Sequence, residues 1–459
     1  MDQLKKSVIL LLIVSLLVSC LYGCAETPAQ PTQAPQVAAT EAPAVEETVP
    51  METVDYAASV KLDMNSDTAK QTVSVKMFID GDTTHFYVPT SVSPNGVLKA
   101  RYIAINTPES TGKIEEYGKK ASSFTKEKLS SATSIIIESE SDIWDPDSTG
   151  DRFLAWVWYK TAESEDYRNL NIEILQNGLA IANSSATSRY GDAAVAAINQ
   201  AKAQKLNIHS GQKDPDFYYG EAVELTLKEL RTNIEAYNGI KVAFNGVITM
   251  NNDNSVYIEH YDAETDMYYG MPIYYGFNLS GAGLDVLSVG NEARIVGTVQ
   301  YYEAGDTYQV SGLTYRQMKP DDPGNIQKLS EGHTPAYVLT DADTFANGTV
   351  SIETEEEVKT FPYAQLALGS SIRMEGLTVT DVYTTNNADS SSHGAMTLTC
   401  DAGGITVSVR TVVLFDKNGT MITEDAYLGK TIDVNGIVDY FSGTYQIKVF
   451  TPNQITIKK

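Results

Sequence analysis

The chain has 459 residues, 42% of them hydrophobic, which is too long for one core and enough apolar material for about three globular domains. Its net charge of −25 excludes the chain-wide basic footprint that non-specific nucleic-acid binding leaves. The deficit is uneven: from Lys70 to Asp214, 16 Lys/Arg face 18 Asp/Glu, a net of −2, so −23 falls elsewhere. A near-neutral segment can still focus positive charge in one cleft, while the acidic remainder repels polyanions at long range.

At the N-terminus, Lys5 and Lys6 precede an apolar run from Val8 to Val18, too short and wrongly flanked for a permanent membrane span. Residues 1–24 are therefore expected to be an export signal. Cys20 and Cys24 sit in Leu-Val-Ser-Cys and Leu-Tyr-Gly-Cys. Both stretches resemble the lipobox of bacterial lipoproteins, which implies a lipid anchor on one of the two cysteines and a location on the outer face of a bacterial cell membrane. Only Cys400 remains beyond them, so no intramolecular disulfide can staple the folded part. Residues 25–66 begin with a stretch rich in Pro, Ala, Thr and Glu that buries little and reads as a disordered spacer.

From residue 67 the pattern changes to alternating strands. Val73–Ile79 alternates into Asp80-Gly81-Asp82, a favoured hairpin turn whose second carboxylate is also a good hard-cation ligand. The stretch Arg101-Tyr-Ile-Ala-Ile-Asn-Thr-Pro-Glu109 reads as a short strand and a turn. Fully extended, it would separate Arg101 from Glu109 by roughly 26 Å at ~3.3 Å per residue. Any shared task requires the chain to double back, and Asn106-Thr107-Pro108 suits that. Ala121, Phe124, Lys128 and Leu129 follow at helical spacing, which predicts a helix. Next come a strand at Ser134–Glu140, a turn and strand through Arg152 to Trp158, a helix from Leu170 stopped near Gly178, and a last helix running to His209.

Five motifs stand here in order: Asp-Gly-Asp-Thr (80–83), Arg-x4-Asn-Thr-Pro-Glu (101–109), Tyr-Gly-x2-Ala (117–121), Gly-x-Arg-x-Leu-Ala (150–155) and a Gly-Leu-Ala helix end (178–180) with Lys-Leu-Asn-Ile (205–208). Together they resemble the staphylococcal nuclease family over about residues 70–211. The resemblance implies a small five-stranded OB-type barrel with three helices, and Ca2+-dependent hydrolysis of DNA and RNA that leaves 3′-phosphates. By motif, Arg101 and Arg152 match the phosphate-binding arginines and Glu109 the catalytic glutamate. Asp82 matches a calcium-ligating aspartate, and Thr107 the residue whose carbonyl is a ligand. Asn106 stands where a second ligating aspartate is usual, which removes one negative charge and keeps an oxygen. The loop before Arg152 is one residue longer than the family's form.

The chemistry accounts for the residue types. Guanidinium forks match phosphoryl oxygens on which charge accumulates, a shared divalent ion adds Lewis-acid stabilisation, and a glutamate can accept the proton of the attacking water.

Beyond residue 213, Leu225–Gly239 reads as a helix closed by glycine. Strands follow in two similar sets. Val289-Gly-Asn-Glu-Ala-Arg-Ile-Val-Gly-Thr-Val-Gln-Tyr-Tyr302 aligns with Leu428-Gly-Lys-Thr-Ile-Asp-Val-Asn-Gly-Ile-Val-Asp-Tyr-Phe441 in glycines, apolar positions and the aromatic pair, which predicts two diverged copies of one β-barrel module. These modules look like OB folds, which bind single strands through aromatic platforms. Tyr257, Tyr274 and Tyr301 are candidates for stacking, although a positive groove is not evident; a spacer role, or a glycan or protein partner, stays open.

The expected fold is mainly β: a signal peptide (1–24), a spacer (25–66), an α+β nuclease-like domain (67–213), and two OB-like modules (221–319 with a leading helix, and 325–459). The expected protein is a monomeric, lipid-anchored extracytoplasmic nuclease acting on DNA, RNA or both with Ca2+. Its rivals are an inactive nucleic-acid-binding lipoprotein and a surface-binding protein.

Overall fold

The computed structural model describes residues 53–458 apart from 165, 278, 320, 354–356, 388, 389 and 391. The expected signal peptide, Cys20, Cys24 and the spacer up to residue 52 lie outside the described residues. Residues 53–66, expected to continue that spacer, are instead folded. Tyr56–Ser59 forms a short helix, α1, whose Asp55 cap accepts a hydrogen bond from the Ala58 N–H. Ala57 is fully buried. Arg168 pairs with Asp55 at 2.7 Å, and Gln200 accepts from the Val54 N–H at 2.9 Å. These long-range partners cannot be seen in the local composition.

Five strands form the first barrel: β1 (Lys70–Asp80), β2 (Thr83–Tyr87), β3 (Val97–Tyr102), β4 (Ser134–Glu138) and β5 (Phe153–Lys160), with alternating burial in β1 and β3 and continuous burial through β4 and β5. β1 pairs antiparallel with β2 and β4, β2 with β3, and β4 with β5, while β3 closes the ring in parallel against β5. The ring order 1-2-3-5-4 is that of an OB barrel. Trp156, Val157 and Trp158 are all buried, as in a strand covered on both faces. The covering helices are α2 (Gly118–Ser130), α3 (Leu170–Gln176) and α4 (Gly191–Ala203). α2 buries Gly118, Ala121, Thr125 and Leu129, one stripe at helical spacing. The predicted run of helix to His209 is interrupted: Lys205 and Asn207 take left-handed backbone, and only a 3-10 turn spans Asn207–His209.

The C-terminal half repeats one topology twice. β6 (Lys241–Asn252), β7 (Ser255–Asp262), β8 (Met267–Tyr274), β9 (Glu292–Tyr302) and β10 (Thr307–Ser311) make one ring. β11 (Ser371–Thr384), β12 (Met396–Ala402), β13 (Ile405–Thr411), β14 (Thr431–Phe441) and β15 (Thr444–Val449) make the next. In each, first and fourth strands pair antiparallel and third and fifth pair parallel, the same order as in the first barrel. The aligned segments 289–302 and 428–441 thus supply equivalent strands, β9 and β14.

The predicted helix from Leu225 to Gly239 is shorter. A capping box of Thr226 and Glu229 starts α5 (Leu227–Thr232), and the backbone at Asn233 turns out of helical geometry before a 3-10 turn at Ile234–Tyr237. The hairpin Thr349–Glu353 with Val358–Pro362 had no counterpart in the sequence reading.

The first barrel and its helices have their own buried core, whereas one continuous core runs through both C-terminal barrels. At the junction of those two barrels, Glu259 accepts from the N–H groups of Ala336 and Ser371 at 2.8 and 2.7 Å. Gly270 faces Gly369 and Ser370 so closely that a Cβ there would lie 2.0 Å from the Ser370 nitrogen.

Candidate active site

The end of β1, the end of β3 and the start of α2 meet at one edge of the first barrel, and small residues make the meeting possible. A Cβ on Gly81 would lie 2.8 Å from both Ala121 Cβ and Thr107 Cγ2. The Thr125 hydroxyl donates to the Gly81 carbonyl at 2.7 Å. Asp-Gly-Asp, Thr-Pro-Glu and Tyr-Gly-x2-Ala are therefore three sides of one packing arrangement.

The chain doubles back between Arg101 and Glu109, though not at the expected place. The reversal is at Ile103-Ala104, where Ala104 adopts φ +71°, and not at Asn106-Thr107-Pro108. The Ala104 carbonyl is held by the Asn183 N–H at 3.0 Å and by the Ser185 hydroxyl at 2.5 Å. These tertiary bonds stabilise a backbone that alanine alone disfavours. Ile105-Asn106 then pairs with Ile181-Ala182.

Asp82 is the hub. Its Oδ2 accepts from the Thr107 N–H at 2.7 Å and pairs with Arg101 Nη1 at 2.6 Å. Arg101 Nη2 donates to Asn106 Oδ1 at 2.6 Å. Asp82 and Thr107 are buried, and Asn106 is exposed. Arg152 is aimed by Asp147, whose Oδ2 receives both Nε and Nη2 at 2.7 Å.

The electrostatics tie these groups together. Burial, then the charges of Asp82 and Glu109, push the Asp80 carboxyl up to about 7. Glu109 reaches solvent, yet partial burial and the Asp82 and Glu115 carboxylates raise its pKa, opposed by Arg101 and Arg152. Glu109 thus lies in the fields of both Arg101 and Arg152. Asp80, read from sequence as half of a hairpin turn, belongs to the site. So do Asp147 and Glu115, whose Oε2 accepts from the Glu109 N–H at 3.2 Å. A concavity of about 720 Å3 opens beside Asn106, Thr107 and Pro108, bordered by Tyr117, Ile181 and Phe217.

Among the described residues no three His, Cys, Asp or Glu side chains converge as a ready-made metal site. The oxygen set of Asp82, Asn106 and Thr107 nevertheless fits a hard cation. Asp82 and Asn106 already turn their oxygens to one positive group, the Arg101 guanidinium, and the buried Asp80 carboxyl stands behind them, in the fields of Asp82 and Glu109.

The stacking candidates divide. Tyr257 is 8% exposed and its ring packs on Phe450 at 5.6 Å, so it has no face free for a base. Tyr274 and Tyr301 line a cleft of about 770 Å3 between the first two barrels, where Lys119 and Lys126 of α2 also lie.

Residues 99–211 match the family model described as "Staphylococcal nuclease homologue". No curated protein matches the chain.

Proposed function

We propose, from the premise that the chain carries a staphylococcal nuclease homologue domain, that it hydrolyses phosphodiester bonds of DNA, RNA or both. The observation that carries this reading is that Glu109 lies in the fields of Arg101 and Arg152 while Asp82 fixes Arg101 and Thr107 side by side. In the proposed reaction a water oxygen attacks phosphorus in line, and Glu109 accepts the proton that the water loses. The bond from phosphorus to the 5′ oxygen breaks, and that oxygen leaves with a proton from solvent, so that the phosphate stays on the 3′ side. Arg152, aimed by Asp147, meets the non-bridging oxygens. Arg101 joins it by exchanging its contacts with Asp82 and Asn106 for the phosphate. Asp82, the Asn106 amide oxygen and the Thr107 carbonyl would hold Ca2+, with Asp80 adding charge. When bound, the ion supplies Lewis-acid stabilisation of the phosphoryl oxygens.

The proposed location is the outer face of a bacterial cell membrane, anchored through Cys20 or Cys24. The support is the apolar run from Val8 to Val18 that precedes those cysteines, and their lipobox-like surroundings.

The test is release of acid-soluble nucleotides from denatured DNA and from RNA, with Ca2+ or EDTA, beside Glu109→Gln. Calcium-dependent turnover lost in the variant is the expected result. Binding without turnover under any divalent ion would replace the enzyme by a nucleic-acid-binding protein.

A further inference from the structure

The segment after Glu109 forms a closed ring. The Glu115 N–H donates to the Glu109 carbonyl at 2.9 Å, and the Glu109 N–H donates back to Glu115 Oε2 at 3.2 Å. Residues 110–114 make the far side of this ring, and they rest on the barrel that follows the nuclease domain.

The contact is made by two side chains in unusual positions. In β9 and β10, Val299 pairs with Val310 and both are fully buried inside the barrel. Strand alternation therefore puts Gln300 and Ser311 on the outer surface, where polar residues normally meet water. Here Gln300 is 7% exposed and Ser311 fully buried. What covers them is the ring: Gln300 Nε2 donates to the Ser110 carbonyl at 3.1 Å, and Ser311 Oγ lies 2.9 Å from the Gly112 carbonyl. Ser311 Oγ is also bonded to Gln300 Oε1. Its single proton serves one acceptor at a time, so the two side chains act as one unit. Gly312 comes so near that a Cβ on it would lie 3.3 Å from the Gly112 carbonyl oxygen.

We propose that Gln300 and Ser311 are positioning residues of the nuclease site, fixing the ring whose closing residue is Glu109. The C-terminal barrel is then part of the catalytic apparatus. The proposal rests on the reading that Glu109 is the general base. It differs from simple adhesion between domains, because the bonds end on carbonyls one and three residues from Glu109. Elsewhere the same two domains meet through the Lys126–Glu303 ion pair at 2.5 Å, which does not touch the ring.

The experiment compares Gln300→Ala, Ser311→Ala, Ser311→Thr and Glu303→Gln in the full chain. It measures kcat and KM on denatured DNA, and hydrogen exchange of residues 110–116. The expected result is a fall in kcat of about tenfold or more for the two alanine variants at the site, with KM nearly unchanged and faster exchange confined to 110–116. Ser311→Thr, which keeps the hydroxyl, restores most of the rate, and Glu303→Gln, which breaks the ion pair from the other side, leaves kcat unchanged. Unaltered kcat in Gln300→Ala and Ser311→Ala overturns the proposal alone, as does an equal loss in Glu303→Gln. Absence of turnover in the wild type would remove the nuclease reading and the proposal with it.

Discussion

The carbonyl oxygen of Glu109 lies against Gly118: a Cβ built on that glycine would fall 2.1 Å from it, and 2.7 Å from the carbonyl carbon. The first residue of α2 thus sets how near the helix comes to the candidate general base. Gly118→Ala is expected to cost about 1–3 kcal/mol of stability, as overpacking does, and to lower kcat through a displaced Glu109. Denaturant unfolding together with kinetics checks it; a variant with unchanged kcat would separate the helix from the site.

Asp147 is predicted to act through Arg152. Asp147→Asn keeps acceptors for the Thr149 N–H and hydroxyl but weakens the pair with the guanidinium. A drop of about tenfold in kcat/KM, near 1.4 kcal/mol, with little change in melting temperature is the expected outcome. Equal stability and equal activity would show that Arg152 needs no partner.

Asp80 has the largest electrostatic consequence of the site's carboxylates. Its folded pKa, about 7, lies above the ordinary 3.8. The native state therefore holds a proton that the unfolded chain has released, and stability falls as pH rises from 3.8 through 7. At pH 8 without divalent ions, Asp80→Asn should raise the melting temperature by several degrees, since one unit corresponds to ~1.4 kcal/mol. Added Ca2+ should stabilise the wild type, and Asp82→Ala should abolish that gain. Scanning calorimetry at pH 8 decides both.

His85 gives the opposite slope. Burial, then the charges of Lys99 and Lys76, hold its imidazole down at about 4 against the ordinary 6.5, with Asp151 pulling up and Arg152 down. The unfolded chain takes up a proton that the folded chain refuses, so this contribution is intact above 6.5 and is lost as pH falls toward 4. In the wild type the slopes from Asp80 and His85 oppose each other across that window. The difference between wild type and His85→Gln isolates the histidine term, expected to be on the order of 1 kcal/mol after allowance for solvent. A constant difference from pH 7 to 4 would exclude it.

Most of the barrel architecture was legible because strand alternation is local, and the candidate site because each motif is a short contiguous run. The illegible parts depend on distant partners. Nothing in Ala104 announces left-handed backbone; the bonds from Asn183 and Ser185 create the condition. Asp80 reads as a turn residue until the fold sets Glu109 and Asp82 beside it. Asp55 and Ala57 sit next to a Pro- and Ala-rich stretch, and only Arg168 and α4 reveal that they are folded. Gln300 and Ser311 look like ordinary outward-facing strand residues, since alternation reports a face and not what lies upon it. Tyr257 fails for the same reason: its exposed-looking position is covered by Phe450.

The shared core of the two C-terminal barrels has a consequence for how this half comes apart. Leu230, Met271, Leu366 and Val438 belong to one uninterrupted cluster, and Gly270 and Gly369 leave no gap between the backbones. Neither repeat can melt without stripping the other of part of its interior, so the pair should lose structure in a single cooperative step. The two barrels here form one mechanical body, and a chain cut between them would present raw apolar surface to water.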